Sequence, residues 1–341
     1  MEQKPIIAIT TGDPCGIGAE ITVKALGEEA VYAVARPLVI SDARLIEQAI
    51  AICGSDLEVN AVHNPAEGKY TYGVIDVLDL KNFPLEDQKF GQVVKEAGRA
   101  SYEFIEKAVQ LALAGKIDGI TTGPIHKEAI NLAGYRYAGH TEILADLTNT
   151  PKVCMMLTDG HMRISHVTTH IPMAEVKDRI TTERILDVIR LTHDALIKMN
   201  VEKPKIAVAG YNPHSGEGGL FGDEEAKYII PAIEQAVKEN LDVEGPVPPD
   251  TVFVKMMGKL YDAVVAMYHD QGHIPIKLVG FKQRKDGTMS SMSGVNVTLG
   301  LPIIRTSVDH GTAFGKAGKG TASPESMLDA LKLAALMASN K

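Results

Sequence analysis

The chain has 341 residues, too long for one minimal domain and suited to two. Its 45% hydrophobic and 23% charged residues are ordinary for a soluble globular protein, and 35 Lys and Arg against 43 Asp and Glu leave a net charge of −8. That balance, with no basic run, argues against nucleic-acid binding through phosphate neutralisation, yet a local cationic pocket for small anions is compatible with it.

Taken in chain order, strand-like and helix-like segments alternate. Ile6–Thr10 is a β-branched apolar run, followed by a Gly/Pro turn and a helix over Ala19–Leu26 that Gly27 would end. Pro37–Ile40 reads as a strand, and Asp42 is placed to cap a helix through Ala51. Apolar residues at Val93, Val94, Ala97, Phe104, Ile105, Ala108 and Val109 give one helical stripe over Gln92–Ala114, with Gly115 as C-cap. Ile117–Thr122, Val153–Leu157 and Ile164–Thr168 read as strands, and Thr181–Met199 as a strong helix. Lys205–Ala209, Ala263–Met267 and Val295–Leu299 add strands, and Pro324–Ser339 a terminal helix. This alternation predicts an α/β protein with sheets covered on both faces. Cys15, Cys53 and Cys154 lack paired spacing, so neither a disulfide framework nor a thiolate zinc site is indicated. No apolar stretch is long enough to span a bilayer and no signal-like start is visible, so the expectation is a cytoplasmic protein with no membrane partner.

His170, His214 and His269 each follow a predicted strand, where ligands gather in α/β sheets. Three neutral imidazoles with open positions describe a catalytic divalent-metal site; the ordinary reading of any one of them is a surface or hydrogen-bonded histidine. His63, His126, His161, His166, His193, His273 and His310 take that ordinary reading. The turn Thr11–Gly18 carries Gly12, Gly16 and Gly18, and its backbone amides could hold an anion, although G-x-x-x-G-x-G is not the Rossmann spacing. A second Gly-rich loop, 311–320, holds Gly311, Gly318 and Gly320 with Lys316 and Lys319, and suits a phosphate, a dinucleotide or mere solvation. His140 and Thr141 open a predicted helix, where Thr141 either meets a phosphate or serves as N-cap. Lys277, Asn296 and Arg305 interrupt apolar stretches, and a buried Arg305 needs an anionic partner from the substrate or from the protein. Asp250 and Asp270 could orient metal ligands or move protons, Asp250 alternatively capping a helix.

Thr11–Glu20, the run 121–128, Gly139–Glu142, the run 169–172, Asn212–Gly219, Met267–Gly272 and Gly294–Gly311 together resemble the 4-hydroxythreonine-4-phosphate dehydrogenase family of vitamin B6 biosynthesis. The resemblance runs over nearly the whole chain in the family's order, and Tyr268-His269-Asp270-Gln271-Gly272 and Asn296–Pro302 are its most specific parts. It implies an isocitrate/isopropylmalate dehydrogenase-like fold of two α/β/α domains with the active site in the cleft between them and shared across a homodimer. The expected domains are 1–135 with 300–341, carrying both Gly loops, and 136–299, carrying metal and substrate residues. By motif match His170, His214 and His269 would hold one divalent metal (Zn, Co, Mn or Mg), the third coming from the partner subunit. His140, Thr141, Lys277, Asn296 and Arg305 would bind a small phosphorylated acid, and the loop 311–320 resembles an NAD-binding loop. Relatives acting on 4-phospho-D-threonate or 4-phospho-D-erythronate resemble the run His269–Ile276 at least as well, and the segment 281–293 looks longer than the family's usual connection.

The expected reaction is oxidation of the substrate's C3 hydroxyl by NAD, with Asp250, Asp270 or Lys277 as base, followed by loss of the β-carboxylate. Phosphate acyltransferases on a related fold are the alternative, since they also handle phosphorylated anions but need no histidine triad.

Overall fold

The computed structural model describes residues 3–280 and 294–340, so the segment 281–293 lies outside the described residues. In chain order the elements are β1 (Ile6–Thr10), α1 (Gly18–Leu26), α2 (Glu29–Val34), β2 (Arg36–Ser41), α3 (Ala43–Cys53), β3 (Glu58–Val62), β4 (Val74–Asp79), α4 (Lys95–Leu113), β5 (Gly119–Thr122), α5 (Lys127–Leu132) and α6 (His140–Leu147). There follow β6 (Cys154–Asp159), β7 (Met162–His166), α7 (Met173–Arg179), α8 (Thr182–Lys198), β8 (Lys205–Ala209), α9 (Ile230–Lys238), β9 (Asp242–Val247), α10 (Val252–Met257), β10 (Ala263–Ala266), α11 (His269–Gly280) and β11 (Val295–Leu299). The chain closes with β12 (Arg305–Val308) and α12 (Glu325–Ser339).

Two compact units divide the chain, one of Met1–Pro151 with Leu301–Ser339, the other of Lys152–Gly300. The sequence placed the boundary at 135, but α6 belongs to the first unit. Tyr135, just ahead of it, stacks on Tyr102 of α4 with ring centroids 3.7 Å apart, and α6 itself packs against α4.

In the first unit the strand order is β3-β4-β2-β1-β5-β12, every pair parallel. β1 is buried along its whole length, which is why its sequence is a continuous apolar run and not an alternating one. Asp42 caps α3 as expected, its Oδ1 accepting from the Arg44 amide at 3.1 Å. β2, β3 and β4 all lie on one side of β1, with β4 inserted between β2 and the edge strand β3, and from β5 the chain adds strands on the other side. That reversal is the topological switch point where α/β sheets collect ligands, and it leaves the turns after Thr10 and Thr122 side by side.

In the second unit the order is β11-β6-β7-β10-β8-β9. β6 runs antiparallel to both of its neighbours, and the β7-β10-β8-β9 group is parallel. Leu157, Ile164, Ala207, Val264 and Tyr261 form its core. α8 covers the sheet with Ile185, Val188, Ile189, Thr192 and Leu196, a three- and four-residue stripe, and Thr181 caps it by accepting from the Arg184 amide. The loops after β7, β10 and β8 therefore emerge from adjacent parallel strands at the same carboxyl edge. Among the described residues no helix is long and apolar enough to cross a membrane.

Candidate active site

In the second unit His170 follows β7 and His269 opens α11, three residues beyond the end of β10. Because β7 and β10 are paired, the two imidazoles meet, with ring centroids 5.5 Å apart. The Asp270 carboxylate lies 2.7 Å from Nδ1 of His269, which assigns the proton to Nδ1 and leaves Nε2 with its lone pair. Tyr268, His269 and Asp270 line a cavity of about 330 Å³ together with Thr169, His170 and Met173.

Two histidines given ordinary roles from the sequence are part of this arrangement. His273, one helical turn after His269, stacks on it at 3.6 Å, and His166, fully buried, lies 4.8 Å from His273. Burial holds both away from protonation: His166 is lowered to about 3, and His273 to about 4, with the neighbouring His269 ring acting in the same direction. Gln271 was also missed: its Oε1 accepts from the Met267 amide and its Nε2 donates to Gly210 O, tying the ends of β10 and β8 together.

His214 does not join the pair. Its Nδ1 lies 3.2 Å from Glu217, and among the described residues no group of three His, Cys, Asp or Glu side chains is close enough to hold a metal. The sequence expected His269 to come from a second subunit; within this chain His269 is the one beside His170, and His214 is the one apart. The backbone explains the separation. His214, Ser215, Gly216, Glu217 and Gly218 all have positive φ, between 44° and 77°, a left-handed turn that three non-glycine residues adopt only under constraint. The constraint comes from two carboxylates the sequence did not reveal. Glu225 accepts from the Tyr211 and Asn212 amides at 2.8 and 2.7 Å, and Asn212 Nδ2 donates to both Glu224 and Glu225. These hydrogen bonds, with Lys177 at 3.0 Å, pull Glu224 down to about 2. One chain alone thus supplies two imidazoles, an orienting carboxylate and an apolar-walled cavity, but not a complete three-histidine set. Of the remaining expected residues, Asn296 lies on β11 with its Oδ1 buried without a partner among the described residues, and Lys277 shares the His269–His273 face of α11 two turns on. Asp250 is exposed and caps nothing, the N-cap of α10 being Thr251.

The first unit gathers a separate cationic group. Arg305, at the start of β12, is almost fully buried and donates to Thr122 Oγ1 at 2.7 Å. Burial lowers its guanidinium to about 9, which leaves it charged at neutral pH. His140 is held well below its usual range by burial and by the charges of Arg305 and Lys127, so its imidazole is neutral, and its Nε2 is buried with no partner. Thr141 is not the N-cap of α6; that position is Gly139, and Thr141 sits one residue inside the helix. His126 stacks on Phe314 at 4.8 Å and 7°, joining the turn after β5 to the loop 311–320.

Four amides of the N-terminal turn are already engaged within the protein. The amides of Asp13, Cys15, Gly16 and Ile17 donate to Pro124 O, Asp13 Oδ1, Asp13 O and Thr312 O respectively, so they are spent within the protein. Gly12 is required for packing: its φ is +75°, and a Cβ there would lie 2.2 Å from Pro124 O. In the second Gly loop the amides of Gly318 and Gly320 donate to the two carboxylate oxygens of buried Glu20, at 2.6 and 2.7 Å. Those two amides brace the loop and are not available to a phosphate, whereas a Cβ on Gly311 would meet open space.

Comparison with known proteins fits this architecture. The chain is 46% identical over 338 residues, 99% of its length and 96% of the relative's, to a 4-hydroxythreonine-4-phosphate dehydrogenase of Desulforapulum autotrophicum. It is 47% identical, end to end in both chains, to an Oceanobacillus iheyensis protein provisionally named D-threonate 4-phosphate dehydrogenase. The crystal structure of a 4-hydroxythreonine-4-phosphate dehydrogenase from Burkholderia phymatum superposes with a TM-score of 0.85 at 45% identity, covering 98% of this chain and 99% of that one. A β-decarboxylating dehydrogenase from Thermococcus kodakarensis, at 15% identity and a TM-score of 0.50, shares the fold. The chain is accordingly an oxidoreductase of the isocitrate/isopropylmalate dehydrogenase-like fold. Residues 33–334 match the family described as pyridoxal phosphate biosynthetic protein PdxA, and the chain belongs to that family.

Proposed function

We propose that this protein is a metal-dependent NAD dehydrogenase that oxidises the C3 hydroxyl of a 4-phosphorylated C4 acid, with decarboxylation of the 3-oxo product. The substrate class is 4-hydroxythreonine 4-phosphate or 4-phospho-D-threonate, as the names of the relatives suggest, with 4-phospho-D-erythronate as a further 2-hydroxy counterpart. The observation that carries the reading is the His170–His269 pair, oriented by Asp270, beside a cavity. A divalent cation held there, with His214 of this or a second copy as third ligand, would supply the Lewis acidity that acidifies a hydroxyl and stabilises an enolate. Asp270 keeps Nε2 of His269 available by fixing its tautomer. Among the candidate bases Lys277 is favoured over Asp250 and Asp270, since it shares a helix face with His269 while Asp270 is engaged in orienting and Asp250 is exposed. Arg305 and neutral His140, with Thr141, would receive an anionic group, and Asn296 a substrate hydroxyl. NAD would lie against the open part of the 311–320 loop.

The test is a panel of phosphorylated C4 acids with NAD, followed by NADH absorbance and CO₂ release. Chelation should abolish turnover and Zn²⁺, Co²⁺ or Mn²⁺ restore it, and His269→Ala should lower kcat by about 10²–10³-fold, the scale of losing one essential transition-state contact. Full turnover after thorough metal removal, or acyl transfer to phosphate without NADH, overturns the proposal.

A further inference from the structure

Away from all these residues, the first unit contains a hollow of about 940 Å³ between the loop that follows β3 and the C-terminal half of α4. Arg36, His63, Lys69, Lys107 and Lys116 line it, and among the described residues no carboxylate does. In a chain of net charge −8 such one-signed lining is a local inversion. None of Arg36, Lys69, Lys107 and Lys116 is in an ion pair with a carboxylate among the described residues.

The nearby acids face other work. Glu67 accepts from the His63 amide at 2.8 Å and from the Asn64 side chain. Asp76 accepts from the Lys69 and Tyr70 amides at 3.0 and 2.7 Å and from Asn60, and Asp118 from the Ile6 amide. Arg36 is held in place, its Nε donating to Lys4 O at 2.7 Å and its guanidinium 5.4 Å above the Tyr70 ring. One cation of the group is therefore preorganised, and the three lysines around it have no carboxylate counter-ion among the described residues. Cations without counter-ions repel one another, and an anion admitted among them relieves that repulsion while gaining charge-assisted hydrogen bonds. The volume lies at the upper end of the range for small-molecule pockets, roughly 300–1,000 Å³.

We infer that this hollow is a second ligand site, which takes a small polyanion carrying two or more phosphoryl groups. The site is separate from the catalytic residues, so its occupant acts as an effector and not as substrate.

Titration calorimetry of the full chain with inorganic pyrophosphate, at low salt and at about 0.15 M salt, tests the inference. Saturable binding is expected, and K107Q/K116Q should weaken it by about tenfold or more, close to 1.4 kcal/mol, with the melting temperature unchanged. The side chains of Lys107 and Lys116 make no hydrogen bond or ion pair with the rest of the described protein, so the substitutions should not disturb folding. The control pair K255Q/K332Q removes the same charge from exposed positions outside the hollow and should leave affinity unaltered. Absence of saturable heat up to millimolar pyrophosphate, a smaller loss in K107Q/K116Q, or an equal loss in the control pair overturns the site.

Discussion

Asp13 shows how one side chain can set a pH dependence for the whole fold. It is 1% exposed, one carboxylate oxygen accepts from the Cys15 amide at 2.8 Å, and the other is buried with no partner. Burial outweighs the amide bond and raises the carboxyl to about 6 from an ordinary 3.8. A raised acid favours the native state when protonated, so its contribution is present below the ordinary value and is lost as pH climbs toward 6. The loss is on the order of 3 kcal/mol across that window. Asp13→Asn should remove it: unfolding curves from pH 4 to pH 7 should show the wild type losing stability relative to the variant, and parallel curves would show that the buried oxygen finds solvent. Glu20 makes the opposite use of a buried carboxylate, with both oxygens satisfied by the amides of a loop some 300 residues away.

Packing between elements is close where α4 crosses α5. Gly98 sits on the buried face of α4, and a Cβ there would lie 2.0 Å from Ala129 O, a backbone atom of α5. In a free helix Gly→Ala gains roughly 1 kcal/mol; here overpacking costs more, typically about 1–3 kcal/mol or above. Gly98→Ala should therefore lower the melting temperature, and a rise would mean that α5 yields without cost. Much at this scale is legible in the sequence. The apolar runs of β1, β8 and β11 and the Thr181-capped α8 have the expected bounds. β3 and β12 escape because their residues do not announce burial: β3 is half-exposed with Glu58 and Asn60, and β12 places Arg305, Thr306 and Ser307 in the interior. The site is legible to the same depth. Strand-end position finds His170 and His269, but the turn that sets His214 apart depends on Glu224 and Glu225, whose role comes from contacts absent from local pattern. In the Gly loops, composition suggests free amides, and only tertiary hydrogen bonds reveal that Pro124, Thr312 and Glu20 already hold them.

Over the whole molecule, the chain builds most of one unit, completes the second, and returns to finish the first. What returns matters to the interior: β12 pairs with β5, Thr306 Oγ1 lies 3.0 Å from Thr121 Oγ1, and the Arg305 side chain reaches Thr122. A chain ended at Gly300 should lose hydrogen-exchange protection in β1 and β5 while β8 and β10 keep theirs; retained protection in β5 would show that β12 is dispensable. The same threading orders events at the ribosome. Residues 152–300 are all delivered before β12 exists, so the later unit can be finished while the earlier one still waits, its β5 without a neighbour on one side. At roughly 5–20 residues per second that wait lasts some seconds, long enough for a chaperone to matter more to the amino-terminal half of this enzyme than to its middle.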